Sequence, residues 1–468
     1  MIQIDVLPDD VLLEIFDFYM IMEPYGAKRE IEAWQMLVHV CRRWRNLVFG
    51  SPRRLNLQLY CTPETPTRDK LDVWPALPLV IEGDFILTDT DNIIAALGQS
   101  NRVCHVLLSF FGRKMEQVLA PMHVSFPELT RLELLSPFWS PDDTPTVIPD
   151  SFLGGSVPHL RFLRLNSIPF LGLPKLLLSA THLVDLHLDR IPHSGYISPE
   201  VIVASLSVLS SLETLHLGFR SPQSRPDWGS QRPPPSKRSI LPALNGFCFK
   251  GVTEYFEELV THIDTPQLRD TCITFFNQID FDCPRLAQFI NSTPILRGRD
   301  GAYMQFHDTI ASVTHEYRIS DSDYNELRIR ILCEDPDWQL SSIEQVCNFL
   351  PPLSLVEDLY IEHQYLERDW KNDAIENTLW LALLRPFIAV KNLYLSKEFA
   401  PGIAAALQEL VGGRITDVLP SLQNIFMEGL EPSGSFQEYI GQFIAARQLH
   451  DHPVIISVWD RDSSMKSM

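Results

Sequence analysis

The sequence predicts an α/β chain in which a short N-terminal helical module is followed by an irregular strand–helix solenoid. Three observations lead there. A Leu-Pro pair opens an amphipathic stretch at residues 7 to 19, a phrase L-x-x-L-x-L recurs along most of the remaining chain, and 35 prolines against 21 glycines punctuate it. At 468 residues the chain exceeds what one hydrophobic core organises, so several domains or one elongated repeat array are expected.

In "LPDDVLLEIFDFY" Pro8 suits a first helical turn, where its missing N–H costs nothing, and Asp9 and Asp10 lie at the positive end of the helix dipole. Leu12, Ile15, Phe16 and Tyr19 follow at i, i+3, i+4 and i+7, one apolar stripe. After a polar loop with Pro24 and Gly26, "AWQMLVHVCRRWRNLVFGSP" places Trp34, Leu37, Val38, Cys41, Trp44 and Val48 on one face of a second helix, stopped by Gly50 and Pro52. A helical core this small needs a staple, a covering domain or a partner.

These residues carry a resemblance. Leu7-Pro8 with an acid following, Ile15-Phe16, Val40-Cys41-Arg42-Arg43-Trp44-Arg45 and Pro52 resemble an F-box, the helical module that docks on the Skp adaptor of cullin-RING ubiquitin ligases. The connection from Met20 to Glu32 is longer than that family's usual one. The resemblance implies that Leu7, Pro8, Leu12, Ile15, Phe16, Leu37, Val40, Cys41 and Trp44 face the adaptor or form the module core. "TPTRDKLDVWPALPLVIEG", Thr65 to Gly83, resembles the segment that follows the F-box in the expanded F-box families of mushroom-forming fungi.

The phrase then recurs as "LTRLEL" at 129, "LRFLRL" at 160, "LVDLHL" at 183, "LETLHL" at 212 and "LNGFCF" at 244, weakens to "LRDTCI" at 268, and returns as "VEDLYI" at 356, "VKNLYL" at 390 and "LQNIFM" at 422. The steps sit near a leucine-rich-repeat period lengthened by insertions. Pro127, Pro158, Pro242, Pro266, Pro284 and Pro420 stand close before repeats or candidate repeats, where proline ends one element and enters a strand. Between them lie helical segments: Ser198-Pro199 opens one, Thr253 is a candidate cap for "EYFEELVTHI", and Pro401 opens "GIAAALQELVGG", closed by Gly412. Parallel strands joined by right-handed helical crossovers stack into a solenoid. This part resembles the irregular leucine-rich repeats of F-box proteins. It departs from them at the usual Asn or Cys position, which holds Pro137, Ile168, Ile191, Arg220 and Val252, so no asparagine ladder is expected there.

Strand side chains alternate, so the leucines point inward and the x positions form an open face with Arg131, Glu133, Phe162, Arg164, Asp185, His187, His216, Tyr360, Tyr394 and Phe426. Mixed charges with scattered aromatics suit a protein-binding face, although an ordinary solvated sheet face has the same alternation. The division expected is an F-box at 1–52, a connecting segment with first irregular repeats at 53–125, and a substrate-recognition domain at 126–460 with an extended insertion at 221–242. Between Phe276 and Val356, "CPRLAQFI", "AYMQFHD" and "NELRIRIL" fit two or three units.

A formal charge of −20 disfavours nucleic acid and anionic membranes as partners. The acidic N-terminal stretch is no secretory signal, and "WLALLRPFIAV" is broken by Arg385 and Pro386, so a cytoplasmic or nuclear protein is expected. The eight cysteines contain no C-x-x-C pair and read as reduced core thiols, Cys272 and Cys283 included. No phosphate loop, dinucleotide turn, zinc-protease helix or nucleophile elbow occurs. "HDH" at 450 to 452 reads as a surface turn, Asn291-Ser292-Thr293 as a loop, and Glu257-Glu258 as a solvated helix face. No enzyme activity, metal or cofactor is expected. The resemblance implies a substrate-recognition subunit of an SCF-type ligase, bound to Skp and through it to cullin and RING subunits, with a protein substrate on the repeat domain. A non-ubiquitinating binding scaffold is the alternative, and a hydrolase on the α/β stack is a third reading.

Overall fold

The computed structural model describes residues 7–21, 33–84, 90–110, 112–136, 146–222, 238–278, 281, 283–293, 301–320, 323–363, 375–429 and 435–459. It is mixed α/β, and its large sheet is open and mostly parallel. Two compact units, Met1–His187 and Leu188–Met468, divide the chain.

The first unit opens with helices α1 (Asp9–Ile21), α2 (Ala33–Val40) and α3 (Arg42–Gly50). Pro8 lies just before α1, where its carbonyl accepts from the Leu12 N–H. The single second helix expected from the apolar spacing is two. The chain breaks at Cys41, which adopts extended angles (φ −157°, ψ 171°), and its Sγ accepts from the Trp44 N–H, capping α3. There follow β1 (Leu59–Cys61), α4 (Thr67–Val73), β2 (Leu79–Gly83), α5 (Asp91–Leu97), β3 (Val103–Ser109), α6 (Gly112–Leu119), β4 (Arg131–Leu135), β5 (Phe162–Asn166), α7 (Leu173–Leu177) and β6 (Asp185–Ile191), within which the division falls. Strands β1 to β5 pair in sequence order, all parallel.

The second unit contains α8 (Pro199–Leu206), β7 (Thr214–Phe219), β8 (Ser239–Ile240), β9 (Gly246–Gly251), α9 (Thr253–His262), β10 (Ile263–Asp264), β11 (Asp270–Phe276), α10 (Pro284–Ser292), β12 (Gly301–Phe306), β13 (Ile310–Ser320) and β14 (Asp323–Leu332). It ends with α11 (Pro336–Phe349), β15 (Asp358–His363), α12 (Asn377–Leu384), β16 (Asn392–Leu395), α13 (Ala400–Gln408), β17 (Asn424–Glu428), α14 (Ser435–Leu449) and β18 (Ile455–Trp459). Its strand order is β7-β9-β11-β14-β13-β12-β15-β16-β17-β18, with β8 and β10 as a separate parallel pair.

The recurring phrase has one backbone solution. Its first leucine lies in a turn and is buried, as at Leu129, Leu160, Leu244 and Leu422; the strand begins two residues later. In that turn the leucine N–H donates three residues back, from Leu129 to Phe126, Leu160 to Val157, Leu212 to Leu209 and Leu422 to Leu419. The carbonyl of one turn then accepts two N–H groups of the next strand: Thr130 from Arg161 and Phe162, Glu213 from Asn245 and Gly246, Lys391 from Gln423 and Asn424. Unlike Pro127, Pro158, Pro242, Pro266 and Pro420, Pro284 opens a helix, α10.

Residues 301–332 are not two or three strand–helix units. "AYMQFH" and "NELRIRIL" fall on β12 and β14, which pair antiparallel with β13 between them, while β14 and β12 pair parallel with β11 and β15. A short turn suffices between antiparallel strands, so no crossover helix is required. "CPRLAQFI" supplies α10, and Asn291 and Ser292 of the glycosylation-like triplet end that helix rather than lying in a loop.

Cap assignments also shift. Thr253 is the first residue of α9, not its cap, and its Oγ1 meets the Gln278 Oε1 at 2.9 Å. Ser198 occupies the cap position of α8 without a side-chain cap bond. Helix α13 ends at Gln408, before Gly412, whose φ is +110°. Only the ends of the 221–242 insertion, 221–222 and 238–242, lie within the described residues, and Pro137 lies outside them. No helix among the described residues is long and apolar enough to cross a membrane.

Candidate binding faces

In the N-terminal module Leu12 and Phe16 are fully buried, Leu37 nearly so, and the Phe16 ring lies 4.7 Å from that of half-buried Trp44. Trp34 is also buried, its Nε1 donating to the Gln58 carbonyl at 3.1 Å, with its ring 5.0 Å from that of Trp74. Arg43 clasps the start of α1, donating to the Leu7 carbonyl at 2.5 Å and pairing with Asp9 at 2.6 Å. Helix α1 is apolar on two sides. Beside the Leu12/Phe16 stripe, Val11, Ile15 and Phe18 are 39, 42 and 63 % exposed, at i, i+4 and i+7, so Ile15 and Tyr19, expected on the buried stripe, lie on the surface. Val40 is 59 % exposed at the end of α2, Pro8 is exposed, and Leu7 is half-buried. The expected module residues thus separate into core (Leu12, Phe16, Leu37), cap (Cys41) and surface (Pro8, Ile15, Val40).

On the first unit's open face, Arg131 is in register with Phe162, and Glu133 with Arg164. The Arg131 guanidinium sits 3.9 Å above the Phe162 ring, which stacks on His187 at 5.3 Å and 26°. Glu133 is buried, not solvated. Arg131 Nε donates to its carboxylate at 2.8 Å and Arg164 approaches to 4.0 Å, so burial of the charge is compensated. Asp185 is half-buried. His105, next in register to Arg131, is held below its ordinary pKa by burial and then by the arginine.

In the second unit the aromatics expected to be scattered form one stack. Tyr303, Tyr360, Tyr394 and Phe426 occupy one row through the parallel pairs β12·β15, β15·β16 and β16·β17. Their centroids lie 4.4, 4.1 and 4.5 Å apart, with planes within 10°. Trp459 packs against Tyr360 and Tyr394 at 5.9 and 5.6 Å. Burial, first, and the neighbouring tyrosines raise the Tyr360 pKa, so its hydroxyl stays protonated. Below this row runs a side-chain ladder: Asn392 Nδ2 donates to Asp358 at 2.6 Å, and Asn424 Nδ2 to Asn392 at 2.8 Å. An Asp–Asn–Asn ladder therefore runs along the first strand position.

The same row continues across β14, β11, β9 and β7 as Arg328, Cys272, Cys248 and His216. Cys272 is thus not a core thiol. It and Cys248 are half-exposed, whereas Cys283 is buried. Both occupy the fifth position of the phrase, in "LNGFCF" and "LRDTCI", a signal sufficient to put them on the open face. Tyr303 and Trp459 escaped because neither lies within a recognisable phrase.

Other residues singled out in the sequence have structural positions. Glu257 accepts from the Arg285 and Leu286 N–H groups at 2.7 and 2.8 Å, capping α10 from α9 rather than facing only solvent. At the "HDH" triplet the chain turns through Asp451 (φ +62°) directly after α14. Among the described residues no group of three or more His, Cys, Asp or Glu is placed to hold a metal ion. Comparison of the chain with protein-family models and with curated proteins gave no match.

Proposed function

We propose that the protein is a substrate-recognition subunit of an SCF-type cullin-RING ubiquitin ligase. In this reading α1 to α3 are an F-box that binds the Skp adaptor, the strand–helix units form a leucine-rich-repeat-like solenoid, and its open face holds a protein substrate. The reading rests on the second apolar stripe of α1. Leu12 and Phe16 already fill the module's interior, yet Val11, Ile15 and Phe18 remain exposed, and an apolar surface of this kind marks an association site.

The Tyr303–Phe426 stack supports the second half of the proposal, since large aromatics held rigid lose little entropy when a partner packs on them. The protein's contribution is proximity. Holding a substrate lysine near a charged conjugating enzyme makes an encounter between two molecules effectively intramolecular, and no bond chemistry is asked of this chain.

Reconstitution tests the reading. The intact chain and a chain lacking residues 1–52 are each co-expressed with Skp, cullin and RING subunits. The proposal expects the ligase subunits to co-purify only with the intact chain, and substrate ubiquitination to depend on it. Capture of Skp without cullin would favour the scaffold alternative.

A further inference from the structure

Cys248 and Cys272 are directly in register on parallel strands β9 and β11. Neighbouring strands lie about 4.8 Å apart, inside the roughly 4.4–6.8 Å Cα separation that a disulfide spans. Both cysteines are half-exposed, while Cys61, Cys104, Cys283, Cys333 and Cys347 are buried. On its other side Cys272 faces Arg328, which is ion-paired with Glu326, and Arg330 lies two residues further along β14. His216 is the next residue in the row beyond Cys248.

The electrostatics distinguish the two sulfurs. The neighbouring Cys248 sulfur first, and then Arg330 and Arg328, hold Cys272 below the ordinary thiol value against the opposing effects of burial and Glu326. Cys248, beside the Cys272 sulfur and partly buried near Asp189, is pushed the other way. The surroundings thus favour the thiolate at Cys272 and the thiol at Cys248, the combination that a peroxide-reactive cysteine with a resolving neighbour requires.

We infer that Cys248 and Cys272 are a peroxide-reactive dithiol, in which Cys272 is oxidised first and Cys248 then closes a reversible intramolecular disulfide. The Cys272 thiolate attacks one oxygen of hydrogen peroxide, the O–O bond breaks, and the departing hydroxide takes up a proton as water, leaving Cys272 as a sulfenic acid. The Cys248 sulfur then attacks the Cys272 sulfur, and the sulfenic oxygen leaves with the Cys248 proton as a second water. Two thiols and one peroxide give one disulfide and two waters, the peroxide taking up two electrons. A dithiol reductant reverses the change by exchange. The inference rests on the open-face row and is independent of the ubiquitin-ligase reading.

The test treats the full-length chain with hydrogen peroxide at neutral pH, blocks remaining thiols, and maps the cysteines by peptide mass spectrometry. Expected is a cross-linked Cys248–Cys272 peptide that disappears on reduction, formed before any modification of Cys41. In Cys248→Ser, oxidation should stop at a Cys272 sulfenic acid that dimedone traps. Cys272→Ser should give no adduct at position 248, and Arg330→Gln should slow the wild-type reaction several-fold. Wild-type chain that oxidises at Cys41 while this pair stays reduced, or that accumulates Cys272 sulfenic acid without the cross-link, overturns the inference.

Discussion

Tyr360 and Tyr394 stack with centroids 4.1 Å apart and planes 10° from parallel, the closest contact in a row that Tyr303 and Phe426 extend on either side. The relationship follows from the register of parallel strands, which places equivalent residues of successive units side by side. A row of this kind contributes to stability, and substitution of one ring measures how much.

Tyr360→Ala removes the ring that touches both neighbours. At about 0.5–1.5 kcal/mol per aromatic pair beyond area burial, unfolding in denaturant should show a loss of about 2–3 kcal/mol. Tyr360→Phe keeps both stacking contacts and should stay within about 0.5 kcal/mol of wild type.

Trp44→Ala should cost about 2–4 kcal/mol, below the value for a fully buried indole, because the side chain is half-buried and its principal described ring contact is Phe16. Thermal unfolding of the variant measures it. Loss of the Trp44 contact should also expose Phe16 to solvent and increase binding of a hydrophobic dye.

Arg447 is fully buried, and its guanidinium donates to the carbonyls of Ile415, Leu419, Pro420 and Leu422 at 3.1–3.3 Å. Leu419 is held at φ +49°, a conformation a leucine adopts only when its surroundings fix it. Arg447→Met leaves these carbonyls without their donor and should cost about 3–5 kcal/mol. Arg447→Lys should recover little, since an ammonium group cannot span the fork. Denaturant melts of the two variants check the prediction.

Glu258 is pushed from its ordinary 4.5 up to about 7, first by burial and then by its hydrogen bond and like charge with Glu200. The folded chain therefore holds a proton that the unfolded chain releases between these values. The resulting stabilisation is fully present below about pH 4.5 and is lost as pH rises through 7. Glu258→Gln removes this proton linkage, so its melting temperature should exceed that of wild type at pH 8 and the difference should vanish below about pH 4.

Much of the strand pattern was legible because each phrase contains its own geometry: a leucine for the turn, then alternating leucines for the interior. This sufficed for β4 to β7, β9, β11 and β15 to β17, and for the half-exposed placement of Phe162, His187, Tyr360 and Tyr394. The hairpin β12–β13–β14 was not legible, since antiparallel neighbours need neither the leucine turn nor a crossover helix. Glu133 read as exposed because alternation gives the face on which a side chain lies, not how deeply two arginines draw it in. Cys41 read as part of an apolar stripe because its spacing fits one, whereas its backbone makes it a cap. The dithiol and the aromatic row depend on register between residues 24 to 57 positions apart in sequence, information a single phrase does not carry.

On the proposed reading, the exposed residues of α1 beside its core stripe form a partner-binding surface. The most direct test co-expresses the Skp adaptor with the wild-type chain and with an Ile15→Asp, Phe18→Asp double variant, and measures the adaptor that co-purifies. Both positions are exposed, so the variant should keep its circular-dichroism spectrum and melting temperature. The account predicts stoichiometric adaptor on the wild type and at least a tenfold loss on the folded variant. Equal capture by both chains, or no capture by the wild type, would contradict it.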